Sequence, residues 1–316
     1  MTTLETKVNN MKQQTIGVEV EMNSITRRRA SEIVANYFGT RNFDGSYEYG
    51  YKAWACKDTK GRVWKFQRDA SIIADNDDER CEMVTPILTY DDMETLQDII
   101  RLLRKAGAKS DATRDCGVHI HIGANGHTAQ SLRNLANIMA SHEQLLIDAL
   151  GIDRYRVSRW CKVVDRDFLY QVNKKKPTTM DKLADIWYTS HNATWDRQAH
   201  YNDSRYHMLN YHATFTKGTI EFRLFQFDAP SGNKQNGLHA GQLKSYIQLC
   251  LALSQMAKDV RSASNKPQQT ENPKYAMRTW LLRLGFIGEE FATARDFLTK
   301  RLEGDSAFRS GLREVA

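Results

Sequence analysis

The chain has 316 residues, 41% of them hydrophobic and 26% charged, proportions that exclude disordered, fibrous and low-complexity classes and predict a folded globular protein. No apolar run approaches the roughly 18 residues that span a bilayer, and the polar start Met-Thr-Thr-Leu-Glu-Thr-Lys lacks the apolar core of a secretion signal, so a cytoplasmic address without a membrane partner is expected. The net charge of +7 favours anionic partners; the runs Arg27-Arg28-Arg29 and Lys174-Lys175-Lys176 could contact nucleic acid, but read more simply as solvated surface.

In chain order, alternating residues predict a first strand over 15–23, followed by a helix over 29–38. Strands are expected at 51–54 and 62–67, around the turn Asp58-Thr59-Lys60-Gly61, and at 80–84 before Pro86. Met93, Leu96, Ile99, Ile100 and Leu103 recur at helical spacing, with Gly107 as the stop. A strand at 118–123 precedes a helix over 128–150 that Gly151 ends. Residues 152–205 read as a mostly helical or irregular insertion with a loop at Lys174-Lys175-Lys176-Pro177. A hairpin of 207–215 with 219–225 around Lys217-Gly218, and a helix over 238–259, follow. The organisation expected is one catalytic domain over 1–261, a linker or mobile loop over 262–272, and a C-terminal helical segment over 273–316, with helices near 273–284 and 287–303. The cysteines at 56, 81, 116, 161 and 250 form no Cys-x-x-Cys pair and are expected as reduced thiols.

Successive side chains of a strand point to opposite faces, and three segments use this rule alike. Ile16, Val18, Val20 and Met22 oppose Glu19 and Glu21; Val118, Ile120 and Ile122 oppose His119 and His121; Ile220, Phe222 and Leu224 oppose Glu221 and Arg223. One polar face alone is what any half-solvated antiparallel sheet shows. Glu-x-Glu, His-x-His and Glu-x-Arg together point further, because like charges on one face repel unless a cation lies between them. Glutamates with one or two imidazoles suit Mg²⁺ or Mn²⁺ better than zinc. Glu82, in Cys-Glu-Met-Val-Thr-Pro, is another acidic candidate, and Arg223 and Arg205 are candidate cations for phosphoryl-transfer charge. Cys116, just ahead of the histidine strand, reads as packing rather than as a nucleophile.

Gly-Val-Glu-Val-Glu at 17–21, Asp69-Ala70-Ser71 followed by Glu82-Met-Val-Thr-Pro86, Gly-Val-His-Ile-His at 117–121, and Arg205-Tyr206 followed by Thr-Ile-Glu-Phe-Arg at 219–223 resemble the amidoligase family, whose members are similar to glutamine synthetase and glutamate-cysteine ligase. The resemblance covers about 15–260. It departs at Ala70, where a glycine is expected, and at 152–205, which has no counterpart. It implies an α+β fold: a curved, mostly antiparallel sheet with divalent cations and ATP on its concave face, helices behind, and here a helical C-terminal extension. By motif, Glu19, Glu21, Glu82, His119 and Glu221 would be metal ligands, His121 a further cofactor contact, and Arg223 and Arg205 phosphate contacts, with Glu19, Arg205 and Arg223 closest to the chemistry. The activity implied is ATP-dependent joining of a carboxylate to an amine through an acyl phosphate, on an amino acid, a peptide or a protein side chain. A metal-dependent hydrolase using the His-x-His strand, and a basic nucleic-acid- or partner-binding protein with a vestigial site, are the alternatives.

Overall fold

The computed structural model describes residues 3–229, 237–267 and 270–307. Its elements run α1 (Leu4–Lys12), β1 (Ile16–Met22), α2 (Arg27–Phe38), β2 (Asn42–Asp44), α3 (Ser46–Tyr49), β3 (Trp54–Lys57), β4 (Val63–Gln67), β5 (Cys81–Val84), α4 (Met93–Lys105), β6 (Val118–Gly123) and α5 (Ala129–Leu150). Then come α6 (Arg154–Arg159), α7 (Arg166–Lys175), α8 (Met180–Ser190), β7 (Leu209–Asn210), α9 (His212–Lys217), β8 (Thr219–Phe225), α10 (Ala240–Asp259), α11 (Pro273–Arg283) and α12 (Ala292–Thr299). Among the described residues the strands form one open antiparallel sheet in the order β2-β3-β4-β5-β1-β6-β8-β7, so the α+β class with a mostly antiparallel sheet is as expected. The chain divides into two compact units. A strand unit comprises 15–121 and 224–244, and a helical unit comprises 1–14, 122–223 and 245–316.

In the strand unit, β5 pairs antiparallel with both β1 and β4, and β3 pairs with β2 and β4. The alternation in β1 buries Ile16, Val18, Val20 and Met22, each at most 2% exposed. Trp64 and Phe66 of β4 and Cys81 and Met83 of β5 are buried in the same way. Helix α2 packs on β2, β3 and β4 through Ala30, Val34 and Ala35, and α4 packs on α2 with Leu96, Ile99, Ile100 and Leu103 buried. Full burial of each large apolar side chain contributes about 1.5–3 kcal/mol before chain entropy is counted. Thr26 caps α2 by accepting the Arg29 N–H at 3.2 Å. At the far side of β4, Arg62 binds Asp58 at 2.7 Å and both oxygens of Asp92 at 2.8 and 2.9 Å, tying the β3–β4 turn to the start of α4.

In the helical unit, α5 is capped by Thr128 and Ser131, and Gly151 ends it in the left-handed conformation, φ 60°, that favours glycine. Helix α7 packs on α5 and α8, and α12 on α5 and α11. Within 152–205, expected as mostly helical or irregular, Asp153, Asp165 and Thr179 cap α6, α7 and α8, and the stretch from 191 to 205 holds no α-helix or strand. The Phe168 and Tyr211 rings meet that of Trp187 at 5.0 and 5.3 Å to make its core.

The expected hairpin is replaced by a strand of two residues and a helix. Only Leu209–Asn210 pairs with β8, and His212–Lys217 turns into α9. Short alternating runs do not separate strand from helix by periodicity alone. Here Asn210 Oδ1 accepts the His212 N–H at 2.8 Å and turns the backbone, while the buried Tyr211 hydroxyl donates to the Leu132 carbonyl at 2.6 Å. The expected strand at 51–54 also lies later, at Trp54–Lys57. The 262–272 segment holds no helix or strand among its described residues; Gln268 and Gln269 of that expectation, and 308–316 of the C-terminal segment, lie outside the described residues.

Candidate metal centre

Strand register sets the first pair of carboxylates. Glu21 lies directly opposite Glu82 in the β1–β5 ladder, so both side chains leave the same face, and Gln67 lies opposite Glu82 on β4. Like charges in directly opposed positions destabilise a sheet on their own. Gln67 Nε2 donates to Glu82 Oε2 at 2.7 Å, and the Gly117 N–H donates to Glu21 Oε2 at 2.5 Å. Two residues along β1, Glu19 takes both imidazoles of β6: His119 Nδ1 lies 3.0 Å from Oε2 and His121 Nε2 lies 3.3 Å from Oε1. His119 Nε2 is 3.8 Å from Glu21 Oε1.

Asp69, in the loop after β4, completes the group. Its Oδ1 accepts from the Ser71 N–H at 2.7 Å and the Ser71 hydroxyl at 2.6 Å, which fixes the carboxylate. Within the strand unit, two sets of ligand atoms then lie within 4.8 Å of one another, Glu19 with Glu82 and His119, and Glu21 with Asp69 and Glu82. Glu82 belongs to both sets. Gly17 supplies clearance: a Cβ there would stand 3.3 Å from the Cβ of His121, tighter than side chains normally approach.

The electrostatics match the crowding. Burial pushes the Glu82 carboxyl well above its usual range, and the charges of Glu19, Glu21 and Asp69 push it the same way, against the hydrogen bond from Gln67. Burial acts to raise Glu19 as well, but the imidazoles of His121 and His119 overcome it and hold Glu19 well below. A divalent cation among these oxygens would offset the repulsion at Glu82. A set of two carboxylates with one imidazole, beside a set of three carboxylates, fits Mg²⁺ or Mn²⁺ better than a softer metal.

In the helical unit, Glu221 is 3% exposed and accepts from Arg223 Nη1 at 2.5 Å and from Asn210 Nδ2 at 2.6 Å. Arg223 and Arg205 come together on one ring: their guanidinium carbons lie 5.9 and 5.7 Å from the centre of Tyr206. Of the residues expected from sequence, Glu19, Glu21, Glu82, His119 and His121 thus converge within the strand unit. Asp69 and Gln67 were missed as members of the cluster. The signals available were the Asp-x-Ser spacing, which fixes a carboxylate in a turn, and the shared face of Gln67 with its partner on β5. Asn210 carried no signal, and Tyr206 stood only as the second residue of the Arg205-Tyr206 motif, with no role attached to it.

The family model described as "Putative amidoligase enzyme" matches residues 12–254. No curated protein matches the chain. Among solved structures, a bifunctional glutathione synthetase from Pasteurella multocida is similar at 13% identity with a TM-score of 0.46, over 94% of this chain and 48% of that one, so the chain spans about half the length of that protein. The family match extends over most of the sequence and includes every carboxylate and imidazole of the cluster, and on that ground the chain belongs to the amidoligase family.

Proposed function

We propose that the protein is an ATP-dependent carboxylate–amine ligase that releases ADP and phosphate. The observation that carries this reading is the carboxylate and imidazole cluster of the strand unit, in which Glu82 is shared by two sets of potential ligands and is pushed up by its neighbours. Glu19, Glu21, Asp69, Glu82 and His119 would hold divalent cations, Mg²⁺ or Mn²⁺, with His121 supporting Glu19. Glu221 takes the same role by its motif, and Arg223 and Arg205 would contact phosphate. The cations would supply charge neutralisation for the triphosphate and for the transferring phosphoryl group.

In this reaction a substrate carboxylate oxygen attacks the γ-phosphorus, the bond to the bridging oxygen breaks, and ADP leaves. The amine then attacks the acyl carbon of the mixed anhydride, phosphate departs with the electron pair, and the amine gives up a proton as the amide forms. The arginines would stabilise the charge on phosphate oxygens, and a buried site would keep water from hydrolysing the anhydride. Incubation with ATP, Mg²⁺ and pooled amino acids and short peptides tests the reading. ADP and phosphate are expected in equal amounts, with a new amide seen by mass spectrometry. Stoichiometric AMP, or tightly bound zinc with no nucleotide turnover, would contradict it.

A further inference from the structure

The helical unit carries a row of guanidinium groups and aromatic rings whose outer part the proposed reaction leaves unused. Tyr155 and Arg159 belong to α6 and Trp160 follows it, while Tyr201, Arg205 and Tyr206 lie just ahead of β7. The guanidinium carbon of Arg159 stands 5.6 Å from the Tyr155 ring centre and 4.5 Å from that of Trp160. Trp160 meets Tyr206 edge-on at 5.7 Å, and Arg205 stands 5.5 Å from Tyr201 and 5.7 Å from Tyr206. The result is a continuous ladder in which each cation lies against rings.

Two features say that the ladder lacks a partner. Among the described residues neither Arg159 nor Arg205 pairs with a carboxylate; Arg159 donates to the Tyr155 hydroxyl and Arg205 to the His200 carbonyl at 2.9 Å. Two buried nitrogens, Arg205 Nε and Trp160 Nε1, have no hydrogen-bond acceptor among the described residues. Both are donors, so the missing partner is an acceptor, and beside two guanidinium groups that acceptor is an anion. A guanidinium lying on a ring leaves its N–H edges outward, in the fork that carboxylates match with two parallel bonds. Nucleobases would need open ring faces. Tyr155, Trp160, Tyr201 and Tyr206 each already carry a guanidinium.

We propose that this ladder binds an acidic peptide, with carboxylates on alternate residues: one taken by Arg159 and the Trp160 N–H, the next reaching Arg205, which in the ligase reading it would share with phosphate. Its steps of 4.5–5.7 Å make a row longer than one amino acid. An extended chain suits it, since side chains on one face of such a chain recur about every 7 Å. That this peptide is the carboxylate substrate rests on the ligase reading; that it binds does not.

Calorimetry on the full chain, without nucleotide or metal, tests the binding alone. Tetraglutamate is expected to bind at least about tenfold more tightly than tetraglutamine, because the charge-assisted bonds are lost with the amide. Arg159→Gln should weaken tetraglutamate about tenfold and Trp160→Phe, which keeps a ring but removes the N–H, about threefold to fivefold, with circular dichroism unchanged. Equal binding of the two peptides, or tetraglutamate binding indifferent to both substitutions, would overturn the proposal. So would an octathymidylate that binds more tightly than tetraglutamate and is weakened by Arg159→Gln. Tetraglutamate binding that responds to both substitutions, in a protein that never releases ADP, would uphold this site and remove the ligase reading.

Discussion

In the strand unit, Glu19, Glu21, Asp69 and Glu82 crowd their carboxylates together, with His119 and His121 beside Glu19, whereas in the helical unit Arg159 and Arg205 lie on aromatic rings with no carboxylate paired to them among the described residues. The first group is held by register, each side chain of β1 and β5 aimed by the ladder beneath it, with Asp69 added from a loop that Ser71 fixes. The second is held by ring contacts on a six-residue helix and an irregular segment. A sheet can force like charges together because its backbone hydrogen bonds hold the geometry against the repulsion. Rings can hold cations apart from counter-ions because their faces offset part of the lost solvation. One region therefore calls for a cation and the other for an anion, and substitutions should separate them.

The largest effect is expected from Glu19→Gln combined with Glu21→Gln. These changes keep shape and hydrogen-bonding atoms while removing two charges, so ATP turnover should fall at least about a thousandfold. Circular dichroism should stay unchanged, and tetraglutamate binding in the helical unit should persist. Turnover that survives in the double variant would break the assignment of the strand unit.

A second substitution probes the frame rather than the site. Arg62→Ala removes the bonds to Asp58 and Asp92, whose carboxylates are nearly buried, and should cost about 2–3 kcal/mol in chemical denaturation. Arg62 holds Asp92 below the usual carboxylate range against its burial. Burial acts to raise Asp58, but bonds from Arg62, Trp64 and Lys60 overcome it and Asp58 too is held low. Folded values below unfolded ones mean that these pairs contribute fully above the unfolded value, about pH 4, and lose that contribution as pH falls through the folded values. Wild-type stability should decline on acidification below about pH 4, and the variant, already without the guanidinium's share of the contribution, should decline less steeply. Parallel profiles for the two proteins would remove Arg62 as the cause.

The smallest effect is expected from Gly17→Ala. The new Cβ would meet the Cβ of His121 at 3.3 Å, and the imidazole must give by a few tenths of an ångström. A severalfold drop in turnover with unchanged stability is expected, because displacements well under 1 Å already disturb reacting geometry. Unchanged turnover would show that His121 has no fixed task.

What the sequence made legible follows from period and local chemistry. Alternation in Ile16–Met22 and Val118–Gly123 told which side chains share a face, and Gly151 marked the end of α5. Alternation does not tell which strand lies beside which. The opposition of Glu21 and Glu82 is a long-range pairing that neither segment encodes alone. Asp69 enters from a loop, where no period applies, and α9 was hidden because a short run of alternating residues satisfies strand and helix equally. The Arg159–Trp160–Tyr206 contacts join segments more than forty residues apart, and composition gave only their charge.

Mn²⁺ calorimetry on nucleotide-free wild type and Glu82→Gln tests most directly whether the strand-unit carboxylates form a divalent-cation site. Because Glu82 is pushed up by burial and by its acidic neighbours, the substitution should relieve repulsion and raise the melting temperature of the metal-free protein. Because Glu82 belongs to both ligand sets, the same substitution should weaken Mn²⁺ by at least about tenfold and abolish the stabilisation that Mn²⁺ gives the wild type. A wild type that binds no Mn²⁺, or a variant that binds it as tightly, would contradict the account.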